Sequence, residues 1–383
     1  MSEPSRAVSD PGRRVQGLRV ALVHDWLITL GGSDRVLLAL HEVFPDAPVY
    51  TFLADPARLP APFACLPVRT SWLQRLPGAT SRHRWLVPLM PLAARTFDLR
   101  GVQVVLSSSH ACAKGVLVPP RAVHICYCHT PMRYAWELRG TYLQAMPPVI
   151  RPLAAAALGW LRRWDHATSA RVHHFIANSR HVAARIRAHY GREATVIYPP
   201  VDTAFFTPGE RRTGEEYFLT VGRLVPYKRI DLAVEAFTRA RRPLVVVGDG
   251  PEAPRLRALA GPTVRFVGEV SDDVLRDYYR GCRAVVFPGV EDFGLVPVEA
   301  QACGRPVIAY AEGGALESVV EGETGLFFRL PTPEALFGAV QAFERRRFDP
   351  GVIRRHAERF SVPRFQAEIA SFVGQVWWST SRA

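Results

Sequence analysis

The chain alternates short, unbroken apolar runs with Gly-containing turns and segments whose apolar positions recur every three or four residues. Two stretches show the grammar plainly: RVALVHDW followed by GGSDRVLLALHEVF, and YFLTVGRL followed by KRIDLAVEAFTRA. Further runs obey it: VQVVLSSS at 102–109, HFIANS at 174–179, PLVVVGDG at 243–250, RAVVFPG at 283–289 and RPVIAYAEGG at 305–314. A strand buried on both faces needs apolar residues at successive positions, so these runs predict βα units on parallel sheets.

The βα series stops and restarts. After VIYPPVDTAFFTPGERRTGEE, with Pro199, Pro200, Pro208 and Gly209, a new series begins at Tyr217. A length of 383 residues suits two cores of nearly equal size. The expected division is a loose tail at 1–17, a first domain at 18–198, a linker at 199–212, a second domain at 213–360 and a terminal segment at 361–383. In that last segment VPRFQAEIASFVGQVWW is helical in period to about Val373 and ends in two tryptophans, so it should dock, with the first domain as one available surface. Asn178 and Ser179 read as helix-capping residues before RHVAARIRAHY, which stops at Gly191.

Composition adds little until charge is divided by position. Hydrophobic residues at 48% and charged residues at 22% are globular values that argue against disorder and repeat architectures. Residues 1–198 hold 24 Lys plus Arg against 11 Asp plus Glu, whereas residues 199–383 hold 24 of each, so the whole net charge of +13 belongs to the first half. Such an excess fits an anionic partner, whether nucleic acid, a phospholipid surface or a phosphorylated substrate, and fits equally a solvated basic face. The stretch 69–95 mixes arginines with Trp72, Trp85, Leu86, Leu89 and Met90, as membrane-lying helices do and as core helices with exposed arginines also do. Six cysteines are too sparse for a disulfide framework, the first seventeen residues carry no apolar leader, and the best apolar run, LAAAALGWL, is bracketed by Arg151 and Arg162. A reducing, cytoplasmic setting is expected.

Open parallel sheets bind ligands beyond the carboxyl ends of their strands, where helix N-termini collect. Gly31 and Gly32 follow the first strand and would let backbone approach a phosphate, although a tight βα turn needs the same pair. Arg223 and Lys228 occupy the corresponding turn of the second series, and two cations there suit a diphosphate. Glu291 and Glu299 flank an apolar run in a later loop and helix. Carboxylates accept hydrogen bonds from hydroxyls, so acids and cations together suggest a phosphorylated, polyhydroxylated ligand such as a nucleotide sugar.

GRLVPYKRIDLAVEAF, VVVGDGPE, VRFVGEVSDD, EDFGLVPVEAQACGRPVIA and GGALESV, in that order, resemble the donor-binding half of the retaining glycosyltransferases of family 4. GGSDRVLLAL, the YCHTPMRYAWEL run and IANS resemble the family's first domain, so the likeness spans almost the whole chain. It implies the α/β GT-B fold, two Rossmann-like domains with parallel sheets facing across a cleft, and closure about the linker. It further implies that Arg223 and Lys228 hold the donor diphosphate and that Glu291 contacts the donor sugar. By the same likeness the backbone N–H groups of Phe293, Gly294 and Leu295 support sugar or phosphate, Glu299 takes the ribose hydroxyls, Val270 lies near the base, and His129 stands beside the transferred sugar. HDWL at 24–27 and the YCHTPMRYAWEL run resemble bacterial mannosyltransferases of surface polysaccharide synthesis, which makes GDP-mannose the favoured donor. A glycan or polyprenyl-diphosphate-linked glycan is the expected acceptor, with peripheral contact to an anionic membrane.

Three rival signals remain. Gly248, Gly250 and Ala253 outline the G-x-G-x-x-A of a nicotinamide dinucleotide site, but in the middle of their domain rather than at its first turn. His124, Cys126, Cys128 and His129 invite a metal reading, yet strand period sets His129 on the opposite face, and the chain has no Asp-x-Asp; metal-independent catalysis without a cofactor is expected. Nucleic-acid binding would use the basic first half, but no reading motif accompanies it, and none is expected. The GT-B architecture also serves phosphorylases and a nucleotide-sugar epimerase, so fold alone leaves the reaction open.

Overall fold

The computed structural model describes residues 15, 17–28, 30–144, 146–209 and 216–380. Most of the expected tail 1–17 and residues 210–212 of the expected linker lie outside the described residues. Contacts divide the chain into two units: residues up to Tyr198 together with those from Pro363 onward, and Pro199–Val362.

The first unit carries a seven-stranded sheet of β1 (Val20–Leu27), β2 (Val49–Ala54), β3 (Val68–Thr70), β4 (Val104–Ser109), β5 (Val123–Cys128), β6 (His174–Ala177) and β7 (Ala194–Val196). Their order is β3-β2-β1-β4-β5-β6-β7, with every pairing parallel. β2, β4 and β5 are buried at every position, which is why their sequences show no polar alternation. The buried serines closing β4 and His124 in β5 are exceptions in polarity: Ser107 Oγ lies 2.9 Å from His124 Nε2, while the buried His124 Nδ1 has no hydrogen-bond partner among the described residues.

The second unit carries a six-stranded parallel sheet of β8 (Phe218–Val221), β9 (Leu244–Val247), β10 (Val264–Gly268), β11 (Val285–Phe287), β12 (Val307–Tyr310) and β13 (Gly325–Phe328), ordered β10-β9-β8-β11-β12-β13. Its core gathers Phe218, Val246, Val286 and Ile308 from the strands with Phe237, Leu336 and Val340 from helices. Both sheets follow the doubly wound plan, in which strand order reverses next to the first strand.

Residues 199–209, expected as linker, are fastened to the second unit. Val201 bridges to Ser361, and the Arg354 guanidinium donates to the carbonyls of Thr203, Phe206 and Ala302 at 2.6, 2.6 and 2.9 Å. The terminal helix runs Val362–Thr380, a full two turns beyond the period visible in sequence. It packs in the first unit, with Phe365 edge-on to Tyr127 and Arg364 donating to the Tyr198 carbonyl.

One other expectation changes. Asn178 does not cap the helix Arg180–Tyr190; Ser179 does, accepting from the Val182 N–H at 3.0 Å, while the Asn178 amide reaches across to the His129 carbonyl. In the 69–95 stretch Met90 is fully buried, leaving Trp72, Trp85, Leu89 and Leu92 on the surface. Gly248 and Gly250 have a packing role. A Cβ at these positions would lie 2.1 Å from the Gly222 carbonyl oxygen and 2.4 Å from that of Leu224. The loop after β9 zips onto the loop after β8 through Leu224 N–H to Asp249 O and Glu252 N–H to Leu224 O, which accounts for both glycines without a dinucleotide.

Candidate active site

In the second unit β8 and β11 are sheet neighbours, and the chain leaves their carboxyl ends in opposite directions. Arg223 and Lys228 lie in the connection from β8 to the helix Ile230–Arg239, and Glu291 in the loop after β11. The structure joins two of these: Lys228 Nζ donates to Glu291 Oε1, with the two side chains only 14% and 19% exposed. Gly289 makes the approach possible, since a Cβ there would sit 2.7 Å from the Lys228 backbone. Arg223 is exposed, and its guanidinium takes no partner among the described residues. One cation is thus held by an acid and a second is open to a ligand.

Phe293 anchors the same loop, its ring 5.4 Å from that of Phe360. Gly294 then caps the helix Leu295–Ala302, whose first turn points N–H groups outward along its axis. Just over one turn on, Glu299 is 7% exposed and accepts from the Tyr279 hydroxyl at 2.8 Å. Burial, and then the Glu299 charge, push the Tyr279 phenol well above its ordinary range, so it remains a donor that orients the carboxylate. Val270 is half-buried beyond β10, at the edge of the sheet.

The first unit gathers a second set of groups where β1, β4 and β5 end side by side. His129 follows β5 and is 9% exposed. Its N–H donates to the Ser109 carbonyl at 2.9 Å, its carbonyl accepts from Asn178 at 3.0 Å, and its Nε2 lies 2.8 Å from Ser108 Oγ. Burial pushes its pKa well down, and His110 and His24 add to this, so the ring is neutral. Gly31 caps the helix Gly32–Val43, but its N–H donates to Asp34 Oδ2 at 2.7 Å. An acid within this first turn therefore already uses the Gly31 amide and complements the helix end. Asp25, fully buried in β1, accepts backbone N–H bonds from His110, Ala111, Cys112 and Ala113 at 2.6–2.9 Å and so fixes the loop after β4. Among the described residues no group of three or more His, Cys, Asp or Glu is placed to hold a metal ion.

Comparison with known proteins follows this two-part geometry. The profile of the glycosyl transferases group 1 matches residues 202–359, and that of glycosyltransferase family 4 matches residues 30–205. The chain belongs to the family 4 glycosyltransferases of the GT-B fold. Among curated relatives, the D-inositol 3-phosphate glycosyltransferase of Geodermatophilus obscurus is 36% identical over 222 residues, 49% of each chain, and that of Acidothermus cellulolyticus is 37% identical over 196 residues, 43% of each. The match thus spans about half the length of these relatives. Among solved structures, Anabaena HepE in complex with UDP and glucose has a TM-score of 0.69 at 18% identity, covering 93% of this chain and 99% of that one. Sucrose-phosphate synthase from Thermosynechococcus elongatus also has a TM-score of 0.69, at 22% identity over 94% and 98%. At these identities the likeness shows the fold.

Within this family frame, the sequence left His24, Asp34, Ser108, Asn178 and Tyr279 without a role at the site. A signal was present for one of them: three consecutive serines ending an otherwise apolar buried strand need partners, and such partners sit at strand ends. Tyr279 carries no comparable mark, because only the folded chain brings it against Glu299.

Proposed function

We propose that this family 4 member transfers a hexose from a nucleoside diphosphate sugar to an acceptor hydroxyl with retention of anomeric configuration. The observation that carries this reading is the Lys228–Glu291 pair beside the exposed Arg223 at the β8/β11 switch point. Two cations complement a diphosphate leaving group, and the adjoining acid suits sugar hydroxyls. Glu299, oriented by Tyr279, serves the ribose hydroxyls, and the second unit binds the donor. Cationic side chains supply the charge stabilisation that a divalent ion gives elsewhere, so transfer proceeds without one; abolition by chelator with rescue by Mn²⁺ would contradict this.

GDP-mannose is the favoured donor and a polyprenyl-diphosphate-linked glycan the favoured acceptor, from the sequence likeness to surface-polysaccharide mannosyltransferases. A second acceptor reading is favoured by the curated relatives, which are named for D-inositol 3-phosphate. Both acceptors carry phosphate, and the arginine excess of residues 1–198 suits either. Product analysis with donor and each acceptor separates the two, and also separates transfer from epimerisation or phosphorolysis.

Peripheral contact with an anionic membrane is proposed with the lipid-linked reading. Trp85 is 70% exposed with Arg82 and Arg84 beside it in sequence, and each cation near an anionic surface contributes about 1 kcal/mol. No helix among the described residues is long and apolar enough to cross a membrane. Sedimentation with anionic vesicles, reversed by high salt, is expected; equal recovery with neutral vesicles would remove the membrane contact and leave the transferase reading intact.

A further inference from the structure

We propose that Asp34, His24 and Ser108 are positioning residues: a relay of hydrogen bonds that fixes the tautomer of His129 and presents its Nδ1 as a hydrogen-bond acceptor. The use of that acceptor, for a hydroxyl of the transferred sugar, rests on the reading above. The relay itself does not.

The four side chains come from neighbouring elements. In the parallel register of β1 and β4, His24 is the direct partner of Ser108. β5 lies on the other side of β4 and delivers His129, while Asp34 stands in the first turn of the helix that follows β1. His24 and Ser108 are fully buried and Asp34 nearly so, so protein groups and not water decide where each proton sits.

With a single ring proton on His24, the contacts run in one direction. Asp34 Oδ1 lies 3.0 Å from His24 Nε2, and Oδ2 lies 2.7 Å from the Gly31 nitrogen. A carboxylate only accepts, so His24 carries hydrogen on Nε2. In a neutral His24 the other nitrogen is then a lone pair, and at 3.1 Å from Nδ1 the Ser108 hydroxyl donates to it. That hydroxyl has one proton. Its oxygen must accept from His129 Nε2 at 2.8 Å, so His129 is protonated on Nε2 and unprotonated on Nδ1.

The main chain holds the ring in place as well, through the bonds to Ser109 and Asn178 on either side of the peptide. Nδ1 takes no hydrogen bond from the described residues. A neutral imidazole with this nitrogen open accepts a hydrogen bond from a hydroxyl. An imidazolium in its place would oppose positive charge developing at an anomeric carbon.

The decisive substitution is Asp34→Asn. An amide has one acceptor and one donor, and the Gly31 N–H can be served only by the acceptor. The amide N–H therefore faces His24 Nε2, His24 shifts its proton to Nδ1, Ser108 reverses, and His129 becomes protonated on Nδ1. The Asn carbonyl still accepts from the Gly31 N–H, as the N3 residue of a capping box does, so the helix start is kept.

The test is a long-range ¹H–¹⁵N correlation spectrum of the full chain labelled at histidine, with the His129 signals assigned by their loss in His129→Gln. The expected result is an Nε2-protonated His129 in the parent and an Nδ1-protonated His129 in Asp34→Asn, with kcat reduced roughly a hundredfold while donor affinity is kept. A parent His129 protonated on Nδ1, or a tautomer unmoved by Asp34→Asn, overturns the relay. If Asp34→Asn does not fold, Ser108→Ala is read instead: His24 keeps its Nε2 proton while His129 loses its single tautomer, and an unchanged His129 spectrum overturns the relay. Tautomers that behave as expected in a chain that transfers no sugar would leave the relay standing and sink the functional reading.

Discussion

Lys228 donates its ammonium hydrogen bond to Glu291, joining the loop after β8 to the loop after β11. On the proposed reading, a diphosphate arriving at this turn would compete with Glu291 for Lys228 and free the acid for a sugar hydroxyl. Lys228→Ala should therefore weaken nucleoside diphosphate binding about tenfold or more, as loss of a charge-assisted bond does. Glu291→Ala should abolish transfer yet leave diphosphate affinity equal to or tighter than that of the parent. Calorimetric titration of both variants checks this, and equal weakening by the two would show that the pair acts only as structural support.

Tyr279 holds the Glu299 carboxylate at 2.8 Å in a buried setting. Tyr279→Phe keeps the packing and removes one bond to a charged acceptor, a loss of about 1.5–3 kcal/mol for such bonds. Part of it should appear as weaker nucleoside binding, because Glu299 loses its orientation, and free phosphate or diphosphate without the nucleoside should bind as before. Comparing the two ligands by titration tests the assignment of Glu299 to the ribose.

How much of this was legible before folding differs between the two units. In the second, Arg223, Lys228 and Glu291 follow strand ends within a few residues, and the polarity of Glu291 and Glu299 against an apolar run marks both acids. In the first, His24 lies inside an apolar run, and its link to Ser108 depends on strand register across 84 residues. Local pattern carries no information about that register. Asn178 misleads for a related reason: a polar residue before a helix looks like a cap, whereas its tertiary partner is the His129 carbonyl. Conversely, Gly248 and Gly250 look like a cofactor loop because close backbone approach needs glycine whether the neighbour is a ligand or another loop.

Acid sensitivity should trace in part to His124. It is fully buried in β5, and burial pushes its pKa down to about 3. An unfolded histidine takes up a proton near pH 6.5, so below that value the unfolded chain binds a proton that the folded chain refuses. The contribution of His124 is fully present above pH 6.5 and declines as pH falls toward 3, by up to about 1.4 kcal/mol per pH unit. Denaturant unfolding at a series of pH values should show a slope between pH 6 and 4 that falls by about one proton in His124→Gln. An identical slope would mean that His124 titrates alike in both states.

Asp165 gathers Lys114, the Trp136 indole N–H at 2.8 Å and the Tyr190 hydroxyl at 2.7 Å in the interior of the first unit. Asp165→Ala strands a buried ammonium and should cost about 3–5 kcal/mol, while the apolar pair Lys114→Met with Asp165→Leu should cost less than the single change. Urea unfolding of both variants measures the difference. A single-variant loss below 1 kcal/mol on the scale of exposed ion pairs would show that the pair is solvated.

The central claim is that Arg223 and Lys228 bind the diphosphate of a nucleotide sugar. Calorimetric titration of the full chain with GDP-mannose, UDP-glucose and ADP-glucose, repeated on Lys228→Ala, tests it most directly. The account predicts one-to-one binding of at least one donor and a loss of about tenfold or more in the variant. Absence of binding by every nucleotide sugar, or a donor affinity indifferent to Lys228→Ala, would contradict it.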